Sequence, residues 1–210
     1  MIIAWMLFVG ITTIVSRYYK EFKADSNMFG TKYWFQIHRG SAVIAWFITA
    51  ASFVIIFVKV KGLSTTAEIH AYLGIALMSA CTLQIVCGVA HPDLKSRLRP
   101  IFNWGHWFLG KSCHLLAVLS FFFLFGKATI IPSYQRSAGL ILTTTWFAVQ
   151  MIWEGFFEFR QCRHRKGNSA DGASSSTTPA KLTRMDYVLF FLYIVSNIIL
   201  VVAGILITMF

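Results

Sequence analysis

Six apolar stretches constrain what this sequence can fold into more than any other feature. They cover residues 1–16, 38–58, 68–90, 105–126, 137–157 and 186–210. A helix needs roughly 20 apolar residues to cross the hydrocarbon core of a bilayer, and the last five stretches meet that length. Only 13% of the residues are charged, about half the proportion found in soluble domains. The sequence therefore predicts an all-α, polytopic membrane bundle with six transmembrane helices.

The first stretch is shorter than the other five. It has 16 residues before Arg17, which gives about 24 Å of helix against about 30 Å of hydrocarbon. We therefore expect the first helix to be truncated at its N-terminal end. The alternative is a short helix around which the bilayer thins. The stretch has neither the basic lead-in nor the small-residue cleavage site of a secretory signal.

The net charge of +11 reflects membrane topology and contact with anionic lipid, and we expect no nucleic-acid partner. If the N-terminus lies outside, thirteen lysines and arginines fall in the inner segments and four in the outer loops. Because basic residues concentrate on the cytoplasmic side, this asymmetry predicts that both termini are non-cytoplasmic. The chain is expected in a plasma membrane or an endomembrane.

The composition divides the chain into three parts. Residues 1–157 are predicted to form the membrane core, helices one to five. Residues 158–185 contain a Ser/Thr/Gly-rich run flanked by basic residues, which predicts a disordered cytoplasmic linker. Residues 186–210 are predicted to form a sixth membrane helix that packs at the periphery and carries no chemistry.

Two histidines, His38 and His106, open apolar stretches that run in the same direction, so they lie at the same depth. Ionisable residues inside membrane spans are functional candidates, and neutral imidazole suits iron. The sequence predicts that the pair ligates one haem, although two interfacial histidines that hydrogen-bond neighbouring helices remain the alternative. Arg39 and Lys111 stand near enough to meet haem propionates, or else extend to the interface without a special role.

A third histidine, His70, opens a stretch at the opposite membrane face and therefore supplies half of a second site. Met1 is a weak candidate for the other ligand. His114 lies eight residues beyond His106, on a different helix face, and is expected to be a buried hydrogen-bonding residue. Glu154, near the inner end of helix five, is expected to pair with an inner arginine.

Four motifs relate the chain to a known family. They are AWM followed by SRYYK, then WFQIHR, IHAYLG, and RLRPIFNWGHWFLG. Over roughly residues 1–160 the chain resembles the transmembrane cytochrome b561 family, most of all the membrane part of DOMON-containing ferric-chelate reductases. The resemblance implies a four-helix core with two b-type haems, one near each face. It also implies a cytoplasmic reductant such as ascorbate, an outer ferric or radical acceptor, and a homodimer.

Position by position, the resemblance assigns His38 and His106 to the inner haem and His70 to one side of the outer haem. The family's fourth ligand belongs to a His-Gly motif ahead of AWM, which falls about four residues upstream of Met1. We therefore expect the sequence to be a fragment of a longer protein, with a natural short form as the alternative. The chain would supply a full ligand pair for one haem b and half a pair for the other.

Together these features predict an oxidoreductase of the transmembrane ferric-chelate reductase type. Electrons would pass from a cytoplasmic ascorbate-like donor through b-type haem to an outer acceptor such as ferric iron. The main alternative is a haem-poor membrane scaffold or accessory subunit that keeps the fold without electron transfer. A proton-coupled transporter using His70, His114 and Glu154 is disfavoured, because the spans carry no interior proline that would break them.

Overall fold

The computed structural model describes residues 1–22, 27–63, 65–93, 95–128, 131–170 and 182–209, with the side chains of 164–170 excepted. Helices account for nearly all of this. A π-helical segment, Ala4–Val9, leads directly into α1, Gly10–Tyr18, and five long helices follow: α2 Tyr33–Val60, α3 Glu68–Val89, α4 Arg99–Lys127, α5 Ser133–Ala170 and α6 Arg184–Met209.

Among the described residues, five helices, α2 to α6, are long and apolar enough to cross a membrane. The first apolar helix, Ala4–Tyr18, is shorter than the others. The expected all-α membrane bundle is therefore supported, while the count of six spans stays a prediction.

Large apolar side chains cover the outer faces of these helices. Phe47, Ile55, Val86, Ile152 and Phe191 are each more than half exposed. A contiguous apolar surface of this kind is unfavourable in water, but lipid covers it without cost. The exposed faces of the bundle are therefore its lipid-facing faces.

A two-stranded hairpin between α1 and α2 was not anticipated from the sequence. Strands β1, Asn27–Met28, and β2, Thr31–Lys32, pair antiparallel. The two turn residues both have positive φ, Phe29 at +52° and Gly30 at +77°, as the tightest hairpin turns require. Glycine adopts this conformation freely and phenylalanine does not. Because Phe29 precedes Gly30, the sequence contains no clear turn signal at this position.

Neighbouring helices pack in an order that places the first helix centrally. The sequential pairs α3–α4, α4–α5 and α5–α6 are in contact, and α1 with the π-helical segment packs against α2, α5 and α6. Trp5, Met6, Val118 and Trp146 are among the buried side chains of the core. The short first helix is thus enclosed by longer ones.

The fifth helix continues beyond residue 157 to Ala170 and so occupies the first part of the predicted linker. Two ion pairs hold this extension. Glu158 pairs with Arg17 of α1 at 3.1 Å, and Arg160 pairs with Asp186 of α6 at 2.8 Å. Residues 171–181 lie outside the described residues, so the predicted disorder of the linker stays a prediction.

The sixth helix is bound to the core by a buried polar network, in contrast to the peripheral packing expected from its composition. The Tyr193 hydroxyl donates to Gln150 Oε1 at 3.0 Å, and Gln150 Nε2 donates to Asn197 Oδ1 at 2.6 Å. All three side chains are buried. The strongly apolar composition of α6 hid these two polar residues, which hydrogen-bond to α5 because no water is available in hydrocarbon.

Replacing Gly10 with alanine should loosen this packing, because the new Cβ overlaps the Tyr193 hydroxyl oxygen. We expect G10A to lose about 1–3 kcal/mol of stability, measured by thermal unfolding in detergent. In G10A/Y193F the nearest ring carbon lies 3.4 Å from the Cβ, so part of the loss should be recovered. Gly155→Ala is the matched control, since no atom lies within 4 Å of its Cβ. Equal losses in G10A and G155A would contradict the packing.

Candidate functional site

The structure brings the imidazole rings of His38 of α2 and His106 of α4 next to each other, inclined edge to face. Their ring centroids are 6.3 Å apart, with an angle of 64° between the ring planes. Two metal–nitrogen bonds of about 2 Å each, plus about 1 Å from each ring centre to its nitrogen, require about 6 Å. The spacing therefore fits a single metal ion between the two imidazoles.

The first helix orients the His38 imidazole. Its Nδ1 lies 3.1 Å from the carbonyl oxygen of Thr12, and the Thr12 hydroxyl donates to the His38 carbonyl at 3.3 Å. Metal-ligating histidines almost always donate their second ring N–H to such an acceptor. A proton on Nδ1 leaves Nε2 as the coordinating atom.

Both histidines line one cavity, the inner cavity, with a volume of about 160 Å³. Three polar atoms of its lining residues are buried and have no hydrogen-bond partner among the described residues: Trp5 Nε1, Gln84 Oε1 and His106 Nδ1. Buried polar groups are normally paired, so this concentration indicates a site for a polar or metal-bearing group. The cavity is smaller than most cofactor pockets.

The two cationic candidates occupy different places. Lys111 lines the inner cavity, and its ammonium group pairs with Glu154 of α5. Arg39 is not on the cavity wall. It donates to Gln36 Oε1 at 2.7 Å and lies over the Phe35 ring. Glu154 thus pairs with a lysine rather than the expected arginine, and the predicted contact of Arg39 with a cofactor stays a prediction.

His114 also reaches the inner cavity, although its spacing from His106 predicted a different face. Its ring stacks on Trp146 with centroids 5.4 Å apart. Two turns of α4 separate the two histidines, and both belong to the cavity lining. The difference arises because the cavity extends along α4 and is wider than one helix face.

His70 lies at the opposite end of the bundle, on a larger cavity of about 510 Å³, the outer cavity. Its Nδ1 is 2.9 Å from both the carbonyl oxygen and the hydroxyl of Ser120, so it too has an orienting partner. Met1, Gln135 of α5 and Thr208 of α6 line the same cavity. Among the described residues, His70 is the single imidazole on its wall.

Trp5 connects the two cavities, and the sequence reasoning did not single it out. The residue is buried and lines both the inner and the outer cavity. It belongs to the π-helical segment Ala4–Val9, and π-helical turns are frequent at functional sites. The AWM motif that contains it was the available signal.

Comparison with known proteins agrees with the resemblance seen in the sequence motifs. The sequence profile of the eukaryotic cytochrome b561 family matches residues 1–131. The chain belongs to the eukaryotic cytochrome b561 family. The predicted family is therefore confirmed, and membership implies haem b and transmembrane electron transfer in general terms.

Individual relatives point the same way. Ferric-chelate reductase 1 of Homo sapiens is 34% identical over 122 residues, 58% of this chain and 21% of the relative. Ferric-chelate reductase 1 of Mus musculus is 31% identical over 147 residues, 70% of this chain and 25% of the relative. A Xenopus laevis relative is 38% identical over 122 residues, again 58% of this chain and 21% of the relative.

The chain spans about a fifth to a quarter of the length of these relatives. No solved structure matches the chain.

Proposed function

We propose that this chain is the membrane part of a transmembrane ferric-chelate reductase. It carries electrons from a cytoplasmic donor such as ascorbate to an outer acceptor such as ferric iron. The observation that carries the proposal is the adjacent pair of imidazoles, His38 and His106, at the spacing that one iron requires. Family membership and relatives named ferric-chelate reductase support it.

In this proposal His38 and His106 would hold the inner haem b, His38 through its Nε2 atom, and His70 would supply one ligand of an outer haem b. Haem iron supplies the one-electron chemistry at each site. The chain's own residues orient the ligands. The Thr12 carbonyl fixes the His38 ring and Ser120 fixes the His70 ring, which raises the basicity of the coordinating nitrogens.

Aromatic side chains near the proposed cytoplasmic end of α4 shield the inner site from water. Phe102 stacks on His106 at 5.4 Å, and His91 lies beside Phe102 at 6.4 Å. Phe35 adds a further ring at 6.3 Å from His91. Such an apolar layer limits water access and thereby influences the reduction potential of a metal site.

The cytoplasmic reductant is proposed to dock at the basic inner surface. Lys95 and Arg97 lie in the connection before α4, Arg99 is the first residue of α4, and Arg39 lies in the second turn of α2. A cluster of one sign of charge raises the local concentration of an oppositely charged substrate. An anion such as ascorbate suits this surface.

Both termini are proposed to be non-cytoplasmic, and Cys162 offers a test because it is exposed near the inner end of α5. A membrane-impermeant maleimide should label Cys162 only after cells are permeabilised. In a Cys162→Ser background, Lys61→Cys in the α2–α3 connection should be labelled on intact cells. Labelling of Cys162 on intact cells would show that the inner end of α5 faces outside, which contradicts the proposed orientation.

The spectrum of the purified protein tests the ligand pair. His38→Ala or His106→Ala should abolish the reducible b-type absorption of the inner site. Each variant removes one of the two proposed iron ligands, and the remaining imidazole cannot replace it. His114→Gln is the matched control, since it lines the same cavity on the same helix and should keep the signal. If both alanine variants retain the full signal, the assignment is wrong.

The same spectrum separates the second candidate, a haem-poor scaffold that retains the fold. The volume of the inner cavity, about 160 Å³, is smaller than that of most cofactor pockets and favours that reading. A scaffold predicts purified wild-type protein without reducible haem, whereas the reductase proposal predicts at least one haem per chain.

Transfer across the bilayer needs a compartment on each side. Proteoliposomes loaded with ascorbate should reduce an external ferric chelate, followed by the absorbance of a ferrous indicator. The rate should fall to that of protein-free vesicles with His106→Ala and stay near the wild-type rate with His114→Gln. Equal rates for wild type and His106→Ala would contradict electron flow through the inner site.

A further inference from the structure

An ion pair lies within the membrane at the wall of the inner cavity. The Lys111 ammonium nitrogen of α4 is 2.5 Å from Glu154 Oε2 of α5, and the two side chains are 37% and 19% exposed. Charges inside a membrane are costly and mark function. Lys111 belongs to the cavity lining and Glu154 does not, so the cationic residue of the pair is the one at the cavity wall.

Lys111 carries the positive charge at the wall of the inner cavity. Among the residues that the structure describes, it is the one lysine or arginine lining the inner cavity. The other ion pairs described between these helices, Arg17–Glu158 and Arg160–Asp186, involve residues outside both cavity linings. Lys111 is therefore the cationic residue at the wall of the cavity that contains the imidazole pair, while Lys20 and Arg99 act electrostatically on His38 and His106 from outside that lining.

The surroundings of Glu154 come from three helices. From α4, His114 lies close enough to interact electrostatically with both Glu154 and Lys111. From α1, the Tyr18 hydroxyl donates to the Glu154 carbonyl at 3.3 Å. From α6, Tyr193 also lies within electrostatic reach. None of these three neighbours carries a fixed positive charge, so Lys111 is the fixed cation that the structure describes beside the Glu154 carboxylate.

We propose that Glu154 is a positioning residue that holds the Lys111 ammonium at the cavity wall, and that this oriented pair sets the reduction potential of the inner haem. The inference rests on the proposed function. Reduction adds one negative charge at the iron, and a cation closer than its partner anion stabilises that charge. Screening by salt is weak in hydrocarbon, so the orientation of the pair matters.

A purely structural role does not explain why the α4–α5 interface contains the charged pair Lys111–Glu154. Replacing a buried ion pair with apolar residues of similar volume is often neutral or stabilising. The α4–α5 interface already contains apolar contacts, among them Phe121 edge-on to Trp146. A function that needs a fixed positive charge at the cavity accounts for the pair.

Redox titration of the purified protein, followed by haem absorbance, tests the inference. Lys111→Met should lower the midpoint potential, because the carboxylate remains without its cation. Glu154→Gln should raise it, because the cation remains without its anion. The double variant removes both charges, so its potential should lie between those of the single variants. Shifts of the same sign in both single variants would overturn the inference.

A charge exchange separates positioning from packing. Lys111→Glu combined with Glu154→Lys keeps an ion pair between α4 and α5 but places the carboxylate on the cavity wall. We expect a lower midpoint potential with thermal stability close to that of the wild type. A structural bridge alone predicts an unchanged potential, and that result would overturn the inference. This variant also remains informative if a single variant fails to fold.

Glu158→Gln provides the matched control. It removes the same charge from the same helix one turn away, where Glu158 pairs with Arg17 outside both cavities. Its shift should be smaller than that of Glu154→Gln, and an equal shift would overturn local positioning. Wild-type protein without haem defeats the proposed function itself. Haem bound normally in every variant with unshifted potentials defeats the further inference alone.

Discussion

The lack of water in the bilayer interior is the constraint on which the rest of this structure depends. Every polar group in hydrocarbon needs a partner from the protein, and an unmatched group costs several kcal/mol. The polar residues of the spans accordingly meet in defined pairs: His38 with Thr12, His70 with Ser120, Lys111 with Glu154, and Tyr193 with Gln150 and Asn197. Because pairing is the rule, the buried polar atoms without partners stand out around the inner cavity.

These pairs also explain how a short first helix becomes the centre of the bundle. Its Thr12 carbonyl orients His38, its Trp5 lines both cavities, and Gly10 admits the Tyr193 hydroxyl of α6. An apolar helix gains little from association in lipid, since lipid tails are as apolar as leucine. Close approach at a glycine and hydrogen bonds to neighbours supply the specificity that the hydrophobic effect supplies in water.

The sequence predicted the elements and the histidine pair better than it predicted partners. Helix length and apolarity define α2 to α6, and the direction of α2 and α4 placed His38 and His106 at one depth. The lysine partner of Glu154 and the cavity position of His114 depend on how each helix is rotated. Nearly uniform apolar helices have little amphipathic pattern from which that rotation can be read. The hairpin before α2 was missed for a local reason, since Phe29 adopts a backbone conformation that sequence rules reserve for glycine or asparagine.

The two cavities differ in a way that follows from which helices enclose them. The inner cavity is lined by the first helix and α2 to α4, all within the region that matches the family profile. The outer cavity adds Gln135 from α5 and Thr208 from α6, beyond that region. The hydrogen bond between Gln150 and Asn197 joins these same two helices, α5 and α6. The region that matches the family profile thus contains the proposed inner electron-transfer site, while helices five and six contribute to the outer cavity.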